Sequence, residues 1–239
     1  MTVVVDYGMG NVASVLNMLR RIGVADAVLS RKPEDVARAE RLVLPGVGAF
    51  DRGMAHLDAF GLAEPLRQRA LTDGVPTLGI CLGAQLLAVA RGGRLQVAAP
   101  PGREAGVIDV QWRPEAVGDP VLDGLQDLDL ADDRRSTPQP SMHADAVVDL
   151  PRGATWLASS ATYPYQAFRV GSAWGVQFHP EAGPELLAAW AATHDDVDVD
   201  AVRAEYARRA EDVAAGGRAV AQAFAALVNE RADTMPELV

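Results

Sequence analysis

The chain has 239 residues, 49% hydrophobic and 23% charged, with a formal net charge of −10 and one cysteine. That length suits one large α/β domain or two small ones, and the acidic balance argues against a nucleic-acid-binding surface. No apolar run reaches the roughly 18–20 residues of a membrane span, no basic region followed by an apolar core opens the chain, and a single cysteine cannot close an intramolecular disulfide, so cytoplasm is the expected compartment.

Val3-Val4-Val5 reads as a short buried strand, and Asp6-Tyr7-Gly8-Met9-Gly10-Asn11 as a glycine-punctuated loop at its carboxyl end. Val12, Val15, Leu16 and Leu19 follow helical spacing and stop near Gly23. Ala27-Val28-Leu29 is a second strand. Pro33 to Ala39 is a short helix with proline suited to its first turn. Leu42-Val43-Leu44 is a third strand, stopped by Pro45-Gly46-Val47-Gly48. Such alternation implies a parallel sheet with right-handed crossovers. Ligand sites in such sheets lie at the carboxyl ends of strands, here the loops 6–11, 45–50 and 80–85. Gly8-x-Gly10 lacks the third glycine and the acidic partner of a dinucleotide fingerprint, and is read as chance.

The rest of the chain is organised around Thr77-Leu78-Gly79-Ile80-Cys81-Leu82-Gly83-Ala84-Gln85. An apolar run from Val75 to Ile80 reads as a strand, and Gln85 to Ala90 as a helix. Cys81 therefore sits on a sharp strand-to-helix turn with glycine two residues before and two after, the nucleophile-elbow pattern with sulfur in place of oxygen. The turn needs backbone angles that glycine permits, and it aims a helix N-terminus at the sulfur, which favours thiolate. A buried, inert cysteine is the competing reading.

From Gly92 to Pro140 prolines and glycines become frequent, with a short strand at Val107–Val110 and an acidic stretch from Asp127 to Asp133. This segment is read as excursions and solvated loops on the same domain. Ser141 to Val148 follows. Thr155–Ala158, Tyr165–Val170 and Trp174–Phe178 then read as antiparallel short strands, the last running into His179-Pro180-Glu181. A helix after Pro184 carries Leu186, Leu187 and Trp190, and Val197 to Asp200 is a loop. Val202, Tyr206, Val213, Val220, Phe224, Leu227 and Val228 mark an amphipathic helix that Gly216-Gly217 should break or kink. Residues from Ala232 on should fray. The expected division is a body of residues 1–198 with a helical extension, 199–239. No internal repeat is present.

A cysteine nucleophile needs a base, and the base needs an orienting partner. Of the four histidines, His56 and His194 sit in contexts that read as exposed and receive no role. His179 follows a buried strand, and Glu181 can meet its ring if Pro180 holds the turn. Cys81, His179 and Glu181 then form a triad of the kind recognised by roles rather than order. A satisfied structural histidine is the competing reading for His179 alone.

Gly79-Ile80-Cys81-Leu82-Gly83 together with Gln177-Phe178-His179-Pro180-Glu181 resembles the class I (triad) glutamine amidotransferases, and Pro45-Gly46-Val47-Gly48-Ala49-Phe50 looks like that family's oxyanion loop. The resemblance runs to about Glu181 and more loosely beyond. Residues 1–83 resemble the glutaminase subunit of imidazole glycerol phosphate synthase. From Ala84 on the chain looks more like stand-alone, GMP-synthase-type amidotransferases, with Ser141-Met142-His143-Ala144-Asp145 similar to their His-Gly-Asp segment and Tyr163–Phe168 and the long C-terminal helix also fitting. The histidine-pathway subunit usually has methionine at the Ala84 position and ends soon after the His-Pro-Glu motif, so the chain reads as a mosaic.

The resemblance implies an open, mostly parallel, flavodoxin-like α/β sheet with helices on both faces, extra antiparallel strands and a C-terminal helix. It implies hydrolysis of L-glutamine to glutamate and ammonia through a thioester on Cys81, with His179 moving the proton and Glu181 orienting the ring. Backbone N–H groups of Val47 and Leu82 would hold the oxyanion, while Gln85, Gly48 and the backbone around His143 would bind glutamine. A capping or exposed glutamine is the competing reading for Gln85. The scheme calls for no metal and no cofactor. Ammonia would pass to a separate synthase partner, for which the first half points to a (β/α)₈ cyclase in a heterodimer. Alternatives are a stand-alone amidotransferase with another acceptor, a γ-glutamyl hydrolase or peptidase, and a non-catalytic relative.

Overall fold

A computed structural model describes residues 1–125 and 135–232 of the chain. Strands β1 (Thr2–Val5), β2 (Ala27–Ser30), β3 (Arg41–Gly46) and β4 (Thr77–Cys81) alternate with helices α1 (Val12–Arg21), α2 (Pro33–Arg38), α3 (Phe50–Ala59) and α4 (Ala63–Leu66). Helix α4 runs on as a wider helical turn over Arg67–Thr72, and α5 (Leu82–Ala90) follows β4 without a gap. Then come β5 (Arg94–Gln96), β6 (Glu104–Trp112), β7 (Ser136–His143), β8 (Ala146–Asp149), β9 (Thr155–Ser159), β10 (Ala167–Val170) and β11 (Ala173–Val176). Helices α6 (Pro184–Ala191), α7 (Val199–Arg208) and α8 (Ala210–Ala232) close the described chain.

Among the described residues the main sheet has nine strands, in the order β2-β1-β3-β4-β11-β10-β9-β6-β7. Its first half, through β4 and β11, is parallel. From β11 outward every pairing is antiparallel. The period of two sorts each central strand between two cores. Val3, Val5, Leu42 and Leu44 face α2 to α5 with Leu57, Leu62 and Leu86. Val4, Val43, Leu78 and Ile80 face α1 and α8 with Leu16, Leu19 and Phe224. This is a flavodoxin-like open sheet with helices on both faces. Helix α1 begins where expected because the Asn11 side chain accepts the Ser14 N–H at 3.2 Å. No helix among the described residues is long and apolar enough to cross a membrane.

The structure differs from three expectations. The segment 92–140 is not mainly loop: it contains β6 and most of β7, the two longest strands, paired antiparallel from Glu104↔His143 to Gln111↔Ser136. The prolines hide this, since Pro138 and Pro140 lie within β7, whose outer side pairs with no further strand among the described residues; proline is tolerated on such an edge. Nor do Gly216-Gly217 break the tail helix. The break falls at Arg209, between α7 and α8, and both glycines lie inside α8. They are packing devices: a Cβ on Gly216 would stand 2.2 Å from Gln139 Nε2, and one on Gly217 would stand 2.4 Å from the Pro180 carbonyl oxygen. Helix α7 also begins at Val199, inside the expected loop 197–200, with Asp198 accepting the Ala201 N–H. The acidic stretch 127–133 and the tail beyond 232 lie outside the described residues, as does the side chain of Val228.

Candidate active site

Strands β4 and β11 are parallel neighbours, in register from Thr77↔Ala173 to Ile80↔Val176. Both point the same way, so the residues after Ile80 and Val176 emerge side by side. This single pairing carries Gln177 and His179 to Cys81 across almost a hundred residues of sequence.

Cys81 adopts φ +51° and ψ −107°, a conformation that L residues other than glycine rarely hold. Its flanking glycines are demanded by space. A Cβ on Gly83 would stand 1.7 Å from the Leu44 carbonyl oxygen, and one on Gly79 would stand 2.6 Å from the Gly83 oxygen. The sulfur sits at the N-terminus of α5, nearly buried, and accepts a hydrogen bond from Gln177 Nε2 at 3.3 Å. The Gln177 carbonyl oxygen in turn accepts from Gln85 Nε2 at 3.2 Å, and that same nitrogen donates to the Asp145 carbonyl at 3.0 Å. Gln85 is thus buried and engaged, not an exposed or capping residue, and its Oε1 is left without a partner among the described residues.

His179 is fully buried, and its Nδ1 lies 2.8 Å from Glu181 Oε1. Its other nitrogen, Nε2, is buried without a hydrogen-bond partner among the described residues, as is Glu181 Oε2. Burial on its own would lower the basicity of this ring. The Glu181 carboxylate and the neighbouring Cys81 sulfur outweigh that cost and push its pKa up to about 10. The Trp190 ring lies against the imidazole with centroids 4.6 Å apart.

A cavity of about 260 Å³ opens onto Cys81, lined on one side by Val47, Gly48 and Gln85 and on the other by His143, Asp145 and Trp190. Gly48 has φ +117°, and a Cβ there would stand 2.9 Å from Met9 Cε. Gly10 approaches Gly46 equally closely, so the loops 6–11 and 45–50 are packed on each other beside the site. His143 does not offer its ring to the cavity's chemistry. Its Nδ1 meets the Asp145 carbonyl at 3.0 Å and its Nε2 meets Glu104 Oε2 at 3.1 Å, so both ring nitrogens are engaged. Burial would raise the Glu104 carboxyl, but donors from His143 and Ser160 hold it below the usual carboxylate range. Gln166 adds a further hydrogen bond to it at 2.6 Å. The pair shapes the 143–145 turn from behind.

Other residues at the site carried no signal in the sequence. Tyr7 is buried beneath Gly46 with its hydroxyl unpartnered among the described residues; burial and then the Cys81 sulfur raise its pKa well above the ordinary phenol. Arg103 and His194 line the same cavity, so His194 is half-buried at its rim and not a surface histidine. His56 lies elsewhere, within hydrogen-bonding distance of the Tyr7 carbonyl at 2.9 Å. The arrangement can present a sulfur nucleophile, a basic imidazole held by a carboxylate, and a walled pocket of side-chain and backbone polar groups.

The chain is similar to known proteins in sequence and in structure. The family model described as glutamine amidotransferase class-I matches residues 3–189. An imidazole glycerol phosphate synthase subunit HisH of Symbiobacterium thermophilum is 41% identical over 201 residues, covering 79% of this chain and 92% of that protein. A HisH subunit of Pseudomonas aeruginosa is 50% identical over 102 residues, 43% of this chain and 48% of that protein, so the chain spans about half the length of that relative. Among solved structures, a glutamine amidotransferase from Thermotoga maritima superposes with a TM-score of 0.70 at 21% identity, covering 93% of this chain and 96% of that one.

Proposed function

The chain belongs to the class-I glutamine amidotransferase family, and on that premise we propose that it hydrolyses L-glutamine to glutamate and ammonia through a thioester on Cys81. The observation that carries this reading is the β4–β11 pairing, which brings Gln177 and the hydrogen-bonded His179–Glu181 pair next to Cys81.

The Cys81 thiolate attacks the side-chain amide carbon of glutamine. His179, kept protonated by Glu181, gives its Nε2 proton to the departing amine, and ammonia leaves. The same nitrogen then takes a proton from water as it attacks the glutamyl thioester, releasing glutamate and restoring the thiolate–imidazolium pair. Glu181 stays ionised throughout. Val47 and Leu82 supply the backbone N–H groups of the oxyanion hole, each such donor contributing roughly 3 kcal/mol in the transition state. Gln85, with its unpartnered Oε1, accepts from the substrate ammonium, and Gly48 and the backbone at His143 complete the pocket.

The ammonia passes to a synthase partner, most simply a cyclase of the imidazole glycerol phosphate synthase type in a heterodimer, because the aligned relatives are HisH subunits. One observation favours a second reading, a stand-alone amidotransferase with another acceptor: α7 and α8 extend beyond the matched residues 3–189 and pack on the turn after β11. A γ-glutamyl hydrolase is the third possibility. Ammonia release from glutamine and from γ-glutamyl peptides, compared between wild type and Cys81→Ala, tests the chemistry. Release at wild-type rate from Cys81→Ala would sink it, and preference for the peptides would shift it to a hydrolase.

A further inference from the structure

Gln177 is 3% exposed and stands directly after β11, with its backbone N–H donating to the Gln166 carbonyl at 2.8 Å. Its side chain bridges Gln85 and the sulfur of Cys81, and the steps proposed for glutamine hydrolysis give it no part. A buried amide in contact with a nucleophile matters through its polarity, because one end donates and the other accepts. An oxygen turned to the sulfur would repel a thiolate, whereas an N–H would hold it.

The neighbours decide which end faces the sulfur. The Asp145 backbone carbonyl can only accept, so the Gln85 atom that meets it at 3.0 Å is the donor Nε2. The same nitrogen carries a second hydrogen, which reaches Gln177 at 3.2 Å and requires Oε1 there. Nε2 of Gln177 is left for Cys81, 3.3 Å from Sγ. The polarity of the row is therefore fixed at its far end by backbone, and its last donor points at the sulfur. Such a bond is weak to a neutral thiol and becomes charge-assisted when the sulfur is a thiolate.

We infer that Gln177 is a further catalytic residue, whose N–H stabilises the Cys81 sulfur as leaving group when water splits the glutamyl thioester. In that step the water oxygen bonds to the carbonyl carbon, the C–S bond breaks, and its electron pair returns to the sulfur that the Gln177 donor faces. His179 takes the water proton, and none passes through Gln177. In the first step the sulfur gives up its charge to the amide, so the same donor does not assist attack. Gln85 is the positioning residue that keeps the Gln177 amide turned this way. The inference rests on the glutaminase reading and adds to it a group for the second half of the reaction.

Gln177→Met keeps nearly the same length and removes the donor. Hydrolysis of the thioester should slow about tenfold, the scale for one hydrogen bond to a charged group. Slowing that step lowers kcat and KM together, so kcat/KM for glutamine should stay within about threefold of wild type, and glutamyl-enzyme should accumulate, visible as added mass. Cys81 is the one cysteine of the chain, so thiolate absorbance reports on it alone. The midpoint of that absorbance against pH, measured without glutamine, should move about one pH unit higher in Gln177→Met. Gln85→Leu, which frees the amide to turn, should move it the same way by less. An unchanged midpoint in both variants, or a fall in kcat/KM with no accumulated thioester, overturns the inference and leaves the glutaminase reading standing. A wild-type chain that hydrolyses no glutamine, alone or with a cyclase subunit, overturns that reading and the inference with it. If Gln177→Met melts well below wild type, the Gln85→Leu titration decides, since that variant leaves Gln177 in place.

Discussion

Gly217 in α8 lies so close to Pro180 that a Cβ there would stand 2.4 Å from the Pro180 carbonyl oxygen. Pro180 links His179 to Glu181, and the Tyr206 hydroxyl of α7 donates to the Ala182 carbonyl at 3.1 Å in the same turn. The C-terminal helices therefore clamp the backbone that carries two members of the proposed triad. Backbone cannot rotate aside as a flexible side chain would, so Gly217→Ala should cost about 1–3 kcal/mol of stability and displace the turn. The expected result is a lower melting temperature together with a reduced kcat and little change in KM. Wild-type kcat in a destabilised protein would confine the contact to a structural role.

The His179 ring gives a pH dependence with a definite sign. Its pKa is raised from the ordinary 6.5 to about 10, against the effect of burial, by Glu181 and Cys81. The folded state thus holds this proton more tightly than the unfolded chain. That contribution to stability is complete below about pH 6.5 and is lost as pH rises through about 10. The imidazolium needed to protonate the departing amine persists over the same window, so kcat should fall on an alkaline limb near pH 10. Glu181→Gln removes the carboxylate that raises the pKa and should move that limb to lower pH. A limb that stays in place would deny Glu181 its orienting and electrostatic role.

Cys81 holds φ +51°, which costs an L residue of order 1–3 kcal/mol and costs glycine little. Comparing two variants separates this strain from the loss of the sulfur. Cys81→Gly should be more stable than Cys81→Ala by about 1 kcal/mol, as read from denaturant unfolding, and both should lack glutaminase activity. Equal stabilities would mean that the turn relaxes when the sulfur is removed, so that the strain belongs to the side chain and not to the elbow.

The central strands, α1 and the elbow were legible because their signals are local: apolar runs, an Asn11 cap, and glycines around a cysteine. The proposed triad reads in the sequence as a pattern of residue types. What escaped was set by tertiary contact. β7 carries prolines that read as loop, and only its position at the sheet edge makes them compatible with a strand. Gly216 and Gly217 read as breakers because sequence shows a glycine's freedom, not the neighbour that requires its missing Cβ. Arg103 and His194 are ordinary polar residues in sequence, joined to Cys81 only by the cavity between β6, α6 and the elbow.

The last prediction concerns the partner. The loops 6–11 and 45–50 follow β1 and β3, and they pack on each other through Gly10 against Gly46 and Met9 against Gly48. Val47, expected to supply an oxyanion donor, lies between two of these contact points, so a protein docking on the 6–11 loop would press directly on the oxyanion loop. Glycine at 46 and 48 leaves the intervening peptide free to reorient with little steric cost. Low glutaminase activity is therefore expected from the isolated chain, with a strong increase when a cyclase subunit and its ligand are added. The measurement is ammonia release during titration with the cyclase, followed alongside complex formation. Met9→Ala, which removes the side chain against Gly48, should weaken the activation more than it weakens the basal rate. An isolated chain that is already fully active and forms no complex at micromolar concentrations would favour the stand-alone reading, in which α7 and α8 already hold the site in its working form.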